Sequence, residues 1–351
     1  MRILVTGNMG YIGPVVVKHL RSKDPRSYLA GLDTGYFSAC VNAWDALPER
    51  FLSVQHYTDI RRVPDYVFEG IEAVVHLAAI SNDAIGDRFQ EATLEINHKS
   101  TVSLARQAKR LGVGSFVFAS SCSMYGSAEE ETCTENSPLN PLTAYARSKV
   151  YAERDLEPLA DENFRVTSLR FSTACGMSDR LRLDLVLNDF VAAAVTERRI
   201  TILSDGTPWR PLINVKDMAL AIEWAIERLT EAEEPFLAVN VGRSDWNYQV
   251  KELADAIAAA IPGVEVSVNK DAQPDKRSYR VNFDLYRRLA PYHQPRCDLA
   301  STIRELKQGV EKIQFGNSGF RTSQLIRLRV LSKLCETGLL DRELRWVDRQ
   351  D

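Results

Sequence analysis

Arg2-Ile3-Leu4-Val5-Thr6-Gly7-Asn8-Met9-Gly10-Tyr11-Ile12-Gly13-Pro14-Val15-Val16-Val17-Lys18-His19 is the stretch that decides the fold. Residues 3–5 form a short apolar run and stop at a glycine-rich turn. A helical pattern follows, with Val16, Val17 and Leu20 on one side and Lys18 and Arg21 turned away. The predicted order is strand, glycine turn, helix. Gly7 permits the tight turn, Gly10 lets backbone approach a pyrophosphate, and Gly13 lets the helix lie close to the strand. Pro14 falls at the first helical position, where a missing N–H costs nothing. The helix start offers free N–H groups and the positive end of a dipole, which suits a dinucleotide pyrophosphate. The spacing Gly-x-x-Gly-x-x-Gly is one residue looser than the common dinucleotide fingerprint, and its weight comes from following an apolar strand directly. Gly7, Gly10, Tyr11, Ile12 and Gly13 are therefore candidate cofactor residues.

At 351 residues the chain can bury a large core and hold one big domain or two modest ones. A formal charge of −3 gives no support to a nucleic-acid partner. No apolar run is long enough to span a bilayer, and Met1-Arg2 leads directly into the first strand, so no membrane contact and a cytoplasmic protein are expected. The six cysteines show no Cys-x-x-Cys pair, which predicts reduced thiols. The five histidines are scattered and argue against a metal site.

Further along, Ser27 to Asp33 reads as a second strand ending in an acid. Asp33 lies where a carboxylate would accept from the adenosine ribose hydroxyls, and it would repel the 2′-phosphate of NADP, so NAD is the predicted cofactor. Ser53 to Ile60 gives another strand with the acidic end Asp59-Ile60. Ile71 to Ala79 is a buried strand ending in Leu77-Ala78-Ala79, small enough to let a flat ligand lie across it. His76 within it reads as structural. Glu91 to Leu111 is helical in period and carries Asn97. Ser115 to Ser121 is a strand ending in hydroxyls. This alternation predicts an α/β fold, a Rossmann-type doubly wound parallel sheet with ligands at the carboxyl ends of its strands.

Tyr145-Ala146-Arg147-Ser148-Lys149 opens a further helix, so Tyr145 and Lys149 share one face, one turn apart. A tyrosine of ordinary pKa, about 10, is a poor base at neutral pH. A nearby ammonium and the positive ring of an oxidised nicotinamide would favour its phenolate. A serine hydroxyl from a strand end completes the set by holding a substrate oxygen.

In these residues the chain resembles the extended short-chain dehydrogenase/reductases that act on nucleotide sugars. The matching residues are Thr6-Gly7-x-x-Gly10-x-x-Gly13, Asp59-Ile60, His76-Leu77-Ala78-Ala79, Asn97, Ser120 to Gly126, Tyr145-x-x-x-Lys149, Leu169-Arg170 and Pro211 to Asp217. They run over roughly residues 1 to 290 and are most similar to the UDP-galactose 4-epimerase and dTDP-glucose 4,6-dehydratase branches. The resemblance implies Ser121, Tyr145 and Lys149 as the catalytic set, with Asp33 and Lys149 on the two riboses and Asp59-Ile60 beside the adenine. It assigns Arg210 and Asn188 to the diphosphate of the sugar nucleotide. It also implies a homodimer.

The departures bear on the reaction. The dehydratases carry Asp-Glu after the catalytic hydroxyl, where this chain has Cys122-Ser123. The Asn-Pro pair of the epimerases is Thr173-Ala174, and a lysine after the His-Leu-Ala-Ala run is Ser81. The arginine expected before Asp275 is Ala272, with Lys276, Arg277 and Arg280 close by. Ser81, Ser123, Thr173 and Arg277 thus join Ser121, Tyr145, Asn188 and Arg210 as candidate substrate contacts.

The expected division is a NAD-binding domain over 1–172, to which 211–244 return, and a smaller α/β substrate domain from 173–210 and 245–320. Residues 321–351 form a helical tail whose helix, near 323–340, is capped by Gly338 and docks on the body or on a partner copy. Arg182, Asp184 and Asn188 fall at helical spacing, and Trp209 reads as core. The implied reaction is NAD-dependent epimerisation of a nucleotide-diphosphate sugar at C4 through a transient 4-keto sugar. A 4-ketoreductase or dehydrogenase would use the same residues, and a scaffold that has lost catalysis would not retain them.

Overall fold

Ile3, Leu4 and Val5 are apolar without alternation, as a strand covered on both faces requires, and all three are buried. They form β1 (Arg2–Thr6), and α1 (Gly13–Lys23) follows the glycine turn with Val16, Val17 and Leu20 buried. β2 (Tyr28–Asp33) pairs with one edge of β1 and β3 (Val54–Tyr57) with β2, while β4 (Ala73–His76) takes the other edge of β1. The computed structural model describes residues 1–42, 46–127, 131–228, 234–269, 277–313, 315 and 319–347.

After β4 come α2 (Asp83–Arg88) and α3 (Gln90–Leu94), a π turn over Glu95–Ser100, and α4 (Thr101–Arg110). The periodic run predicted over 91–111 is thus helical throughout but widened in its middle, where Asn97 is fully buried. β5 (Ser115–Ser121), α5 (Ala144–Leu156) and β6 (Arg165–Phe171) continue the alternation. Beyond them lie β7 (Thr173–Cys175), α6 (Val186–Thr196), β8 (Arg199–Ile202) and β9 (Trp209–Asn214). α7 (Val215–Glu227) and β10 (Phe236–Val241) return to the main sheet. The chain then forms β11 (Asn247–Gln249), α8 (Val250–Ala260), β12 (Glu265–Val268), α9 (Asp284–Leu289), α10 (Leu299–Lys312) and α11 (Arg327–Glu336).

Among the described residues the main sheet has seven strands, all parallel, in the order β10-β6-β5-β4-β1-β2-β3. The order reverses between β1 and β4, which opens a crevice above their carboxyl ends. β11-β9-β7 and β12-β8 form two small sheets on the other side of that crevice. The tail helix is shorter than predicted: Ser323 to Ile326 form a turn closed by Ile326 N–H on Ser323 C=O, and the helix runs only from Arg327 to Glu336. Gly338 ends it in the left-handed region, at φ 71°. Leu331, Leu340 and Leu344 are buried in one cluster with Leu4, Leu32 and Phe118, so the tail docks on the body.

One buried ion pair ties α5 to β6. Arg170 Nη2 lies 2.8 Å from Glu153 Oε2, its Nε also donates to that carboxylate, and Ser168 Oγ donates to it at 2.6 Å. Removing one partner of such a pair strands the other charge in a dry site. Glu153→Ala is expected to lower unfolding stability by about 3–5 kcal/mol in urea titration, far more than an exposed Glu→Ala. A loss under about 1 kcal/mol would show that water reaches Arg170.

Candidate active site

The crevice is a cleft of about 960 Å³. Gly7, Gly10, Tyr11, Ile12 and Gly13 line it from the β1 turn, and Asp33, Asp59 and Ile60 from the ends of β2 and β3. Leu77, Ala78 and Ala79 line it beyond β4, and Ser121, Tyr145 and Lys149 from β5 and α5. Residues predicted from distant parts of the sequence thus come together.

The dinucleotide half fits its ligand. Gly7 has φ 72°, and a Cβ there would meet the Ala78 nitrogen at 2.5 Å. The N-terminus of α1 has no side-chain cap and no acid in its first turn, which leaves its dipole available to an anion. Asp33 accepts from Met9 N–H at 3.1 Å and Gly35 N–H at 2.8 Å. Its burial raises the carboxyl pKa, and those two N–H groups oppose the rise. Asn97 does not line the cleft: its amide accepts from Ile80 N–H and donates to Ile80 C=O, fixing the chain beyond β4. His76 is locked between Thr6 Oγ1 at 2.7 Å and Thr101 Oγ1 at 2.9 Å, and burial lowers its pKa to about 3, as a structural histidine requires.

Thr143 caps α5 by accepting from Ala146 N–H, which starts the helix one residue before Tyr145. Lys149 Nζ then lies 5.7 Å from the Tyr145 ring centre and donates to Ala119 C=O at 2.6 Å. Burial pushes the Tyr145 hydroxyl up to about 12, opposed chiefly by its hydrogen bond with Ser121. Burial likewise brings Lys149 down to about 7, with Glu153 opposing. The lowering of Tyr145 expected from Lys149 is not seen: desolvation dominates, and the cation that opposes it is Arg182. Ser121 Oγ accepts from Ser123 N–H at 3.1 Å, which orients the turn after β5. On that turn the Cys122 thiol donates to Arg170 C=O, within the core. Ser123 Oγ is buried, finds no partner among the described residues, and belongs to a residue lining the cleft.

Ser81, Thr173, Arg210 and Arg277, expected as substrate contacts, line the cleft. Asn188 does not. Its amide accepts from Gly176 N–H and donates to Tyr11 Oη and Arg182 C=O, so it braces Tyr11 from the core. Arg182 and Asp184 precede α6 and share no helical face with Asn188; Arg182 Nε donates to Asp184 at 2.7 Å and its Nη1 to Ser81 Oγ at 2.8 Å. Both are largely buried. Asp83 is held by Arg277 Nη1 at 2.7 Å and Thr143 Oγ1 at 2.7 Å, across 194 and 60 residues. No local spacing marks that bridge. Ala272, Asp275 and Lys276 lie outside the described residues. Trp209 is half-buried, with the Arg280 guanidinium 4.9 Å from its ring centre.

A doubly wound sheet, a glycine turn aimed at a dinucleotide and a Ser-Tyr-Lys set define a nicotinamide-dependent enzyme of the short-chain dehydrogenase type. More particularly, residues 3–242 match the model of the NAD dependent epimerase/dehydratase family, and the chain belongs to that family. UDP-glucose 4-epimerase 4 of Oryza sativa subsp. japonica is 30% identical, over 68% of this chain and 71% of its own. The solved structure of TunA, a NAD-dependent NDP-hexosamine 5,6-dehydratase, superposes with a TM-score of 0.75 at 22% identity, over 89% and 98% of the two chains. UDP-glucose-4-epimerase of Stenotrophomonas maltophila, with bound NAD and formylated UDP-arabinopyranose, gives a TM-score of 0.73 at 22% identity, over 89% and 98%. Among the described residues no helix is long and apolar enough to cross a membrane.

Lys149 yields a pH prediction. Its folded pKa of about 7 lies below the ordinary 10.5, so between these values the unfolded chain holds a proton that the folded chain lacks. Stability from this group therefore rises with pH across that window. Lys149→Met is expected to melt above the parent at pH 6 and to lose that advantage by pH 9, read by scanning fluorimetry. A difference independent of pH would show that Lys149 carries no desolvated charge.

Proposed function

We propose that this chain epimerises a nucleotide-diphosphate sugar, with C4 as the reacting carbon, through a transient 4-keto sugar. NAD, when bound, supplies a hydride acceptor that is restored within each turnover. Tyr145 takes the proton from the sugar hydroxyl and later returns it. Ser121 holds the reacting oxygen, and protonated Lys149 favours the phenolate of Tyr145. Gly7 to Gly13 and Asp33 hold the dinucleotide, whereas Arg210 and Arg277 meet the sugar-nucleotide diphosphate. Residues 173–210 and 245–320 act as the substrate-binding part, and a homodimer is the proposed assembly.

The observation that carries this reading is the turn after β5. On it the Ser123 hydroxyl is buried beside the cleft with no partner among the described residues, and Cys122 is turned into the core, so no carboxylic acid on that turn can drive loss of a hydroxyl. A hydroxyl can hold a keto sugar while it turns over. Asp83, the carboxylate near Tyr145, is already committed to Arg277 and Thr143.

The test incubates the purified protein with UDP-glucose and related nucleotide sugars, without added nicotinamide, and follows products by NMR and mass. Interconversion of stereoisomers at unchanged mass is expected, together with NAD released on denaturation. Tyr145→Phe should lower turnover by about 10²–10⁴-fold with NAD content unchanged. A product lighter by one water would replace this reading with dehydration, and a requirement for added NADPH would replace it with a ketoreductase.

A further inference from the structure

Arg327 opens α11 and is 2% exposed, yet among the described residues it has no carboxylate partner. Its guanidinium donates to three carbonyls: Gln324 at 3.2 Å, Arg180 at 2.9 Å and Leu181 at 3.2 Å. A buried cation hydrogen-bonded only to carbonyls is costly, with Asp184 giving only longer-range support, and at the first position of a helix the dipole opposes it as well. Ile326, at the cap, offers no side-chain acceptor or donor to that helix end. Arg327 and Leu331, one turn apart on α11, both line the cleft.

The position of this charge is fixed by what it grips. The loop whose carbonyls it bonds also holds Tyr11 of the glycine turn. Ser178 Oγ donates to Tyr11 C=O at 2.6 Å, and Tyr11 Oη donates to Gly176 C=O at 2.5 Å. On its other side the Arg327 guanidinium lies 5.0 Å from the ring centre of Phe37, four residues past Asp33. It therefore sits between the helix start that receives a pyrophosphate and the loop beyond the ribose-binding acid.

The same segment grips the adenosine side. Arg61, paired with Asp59, donates to Glu343 C=O at 2.7 Å and Leu344 C=O at 2.9 Å. Tyr36 Oη donates to Leu344 C=O as well. Trp346 Nε1 donates to Thr34 C=O at 2.8 Å, with its ring 5.8 Å from that of Tyr36. Leu344 is buried with φ 57°, a backbone conformation that persists only where surrounding contacts hold it.

We propose that residues 320–347 are the second wall of the dinucleotide site, with the Arg327 guanidinium facing the cofactor diphosphate and the Leu344–Trp346 clasp holding the adenosine wall. This rests on the dinucleotide reading of the cleft. The segment lies beyond the 3–242 region matched by the family model.

The test uses the full chain, freed of nucleotide on charcoal, titrated calorimetrically with ADP, adenosine and UDP. Arg327→Met is expected to weaken ADP by about ten-fold, the worth of one charge-assisted contact, with adenosine and UDP unchanged. Arg327→Lys should recover part of the loss. Trp346→Ala should weaken ADP and adenosine alike and speed NAD release. Should Arg327→Met not fold, Arg327→Lys and Trp346→Ala carry the test, and parental ADP affinity in both overturns the proposal. Equal loss of ADP and adenosine in Arg327→Met overturns it too, since that is a structural effect. A parent chain that binds neither ADP nor NAD would instead remove the dinucleotide reading itself.

Discussion

Two backbones touch above the sheet, and the site depends on how closely they do so. The Gly7 turn lies against Leu77 and Ala78 so tightly that a Cβ would meet Ala78 N at 2.5 Å and Leu77 C at 2.7 Å. Gly13 is as crowded, against Asn8 C=O at 2.3 Å. Only glycine admits these approaches, and they bring the open end of α1 over the point where the strand order reverses. Asn97 secures the other partner by holding both backbone groups of Ile80. The anion-facing helix end and the catalytic face of α5 then share one crevice.

Charge is handled differently in the scaffold and in the cleft. Glu153 and Arg170 close on each other, so the link between α5 and β6 carries no net charge. Lys149, one turn earlier on α5, gains only partial support from Glu153, and its pKa falls. Arg327 is likewise surrounded by carbonyl dipoles and arginines, and its burial lowers its pKa. Arg182, which also lines the cleft, is by contrast closed by Asp184; among the described residues Lys149 and Arg327 are the buried cleft cations without a carboxylate at ion-pair distance. The phosphates of a ligand are the complement of those two charges.

What the sequence made legible is what local geometry determines. A glycine turn after a strand, an acid at a strand end and a Tyr–Lys pair four residues apart depend on chain within a turn or two. Helices between β1 and β2, β4 and β5, and β5 and β6 give the spacing of a parallel sheet. Asn188, Arg182 and Arg327 escaped because their partners lie far away, 177 residues off for Tyr11, 101 for Ser81 and 147 for Arg180. The spacing of Arg182, Asp184 and Asn188 imitates a helix, but Leu183 N–H is spent on Leu325 C=O and α6 begins only at Val186. Resemblance to a family finds residues that fill shared positions, and it is blind to a charge supplied by a tail outside them.

The π turn at Glu95–Ser100 amounts to one surplus residue in an otherwise regular helix. Each residue of an α-helix turns the face by about 100°, so the halves before and after this turn are out of phase. That offset frees one side of the helix from a single allegiance. The half after it lays Leu104, Ala105 and Ala108 on the core, and the turn itself directs Asn97 at the backbone beyond β4. Removing the surplus would leave a better helix by every local measure, with its polar anchor rotated off its target. The irregularity is thus a phase shifter, letting one rod serve packing and placement at once.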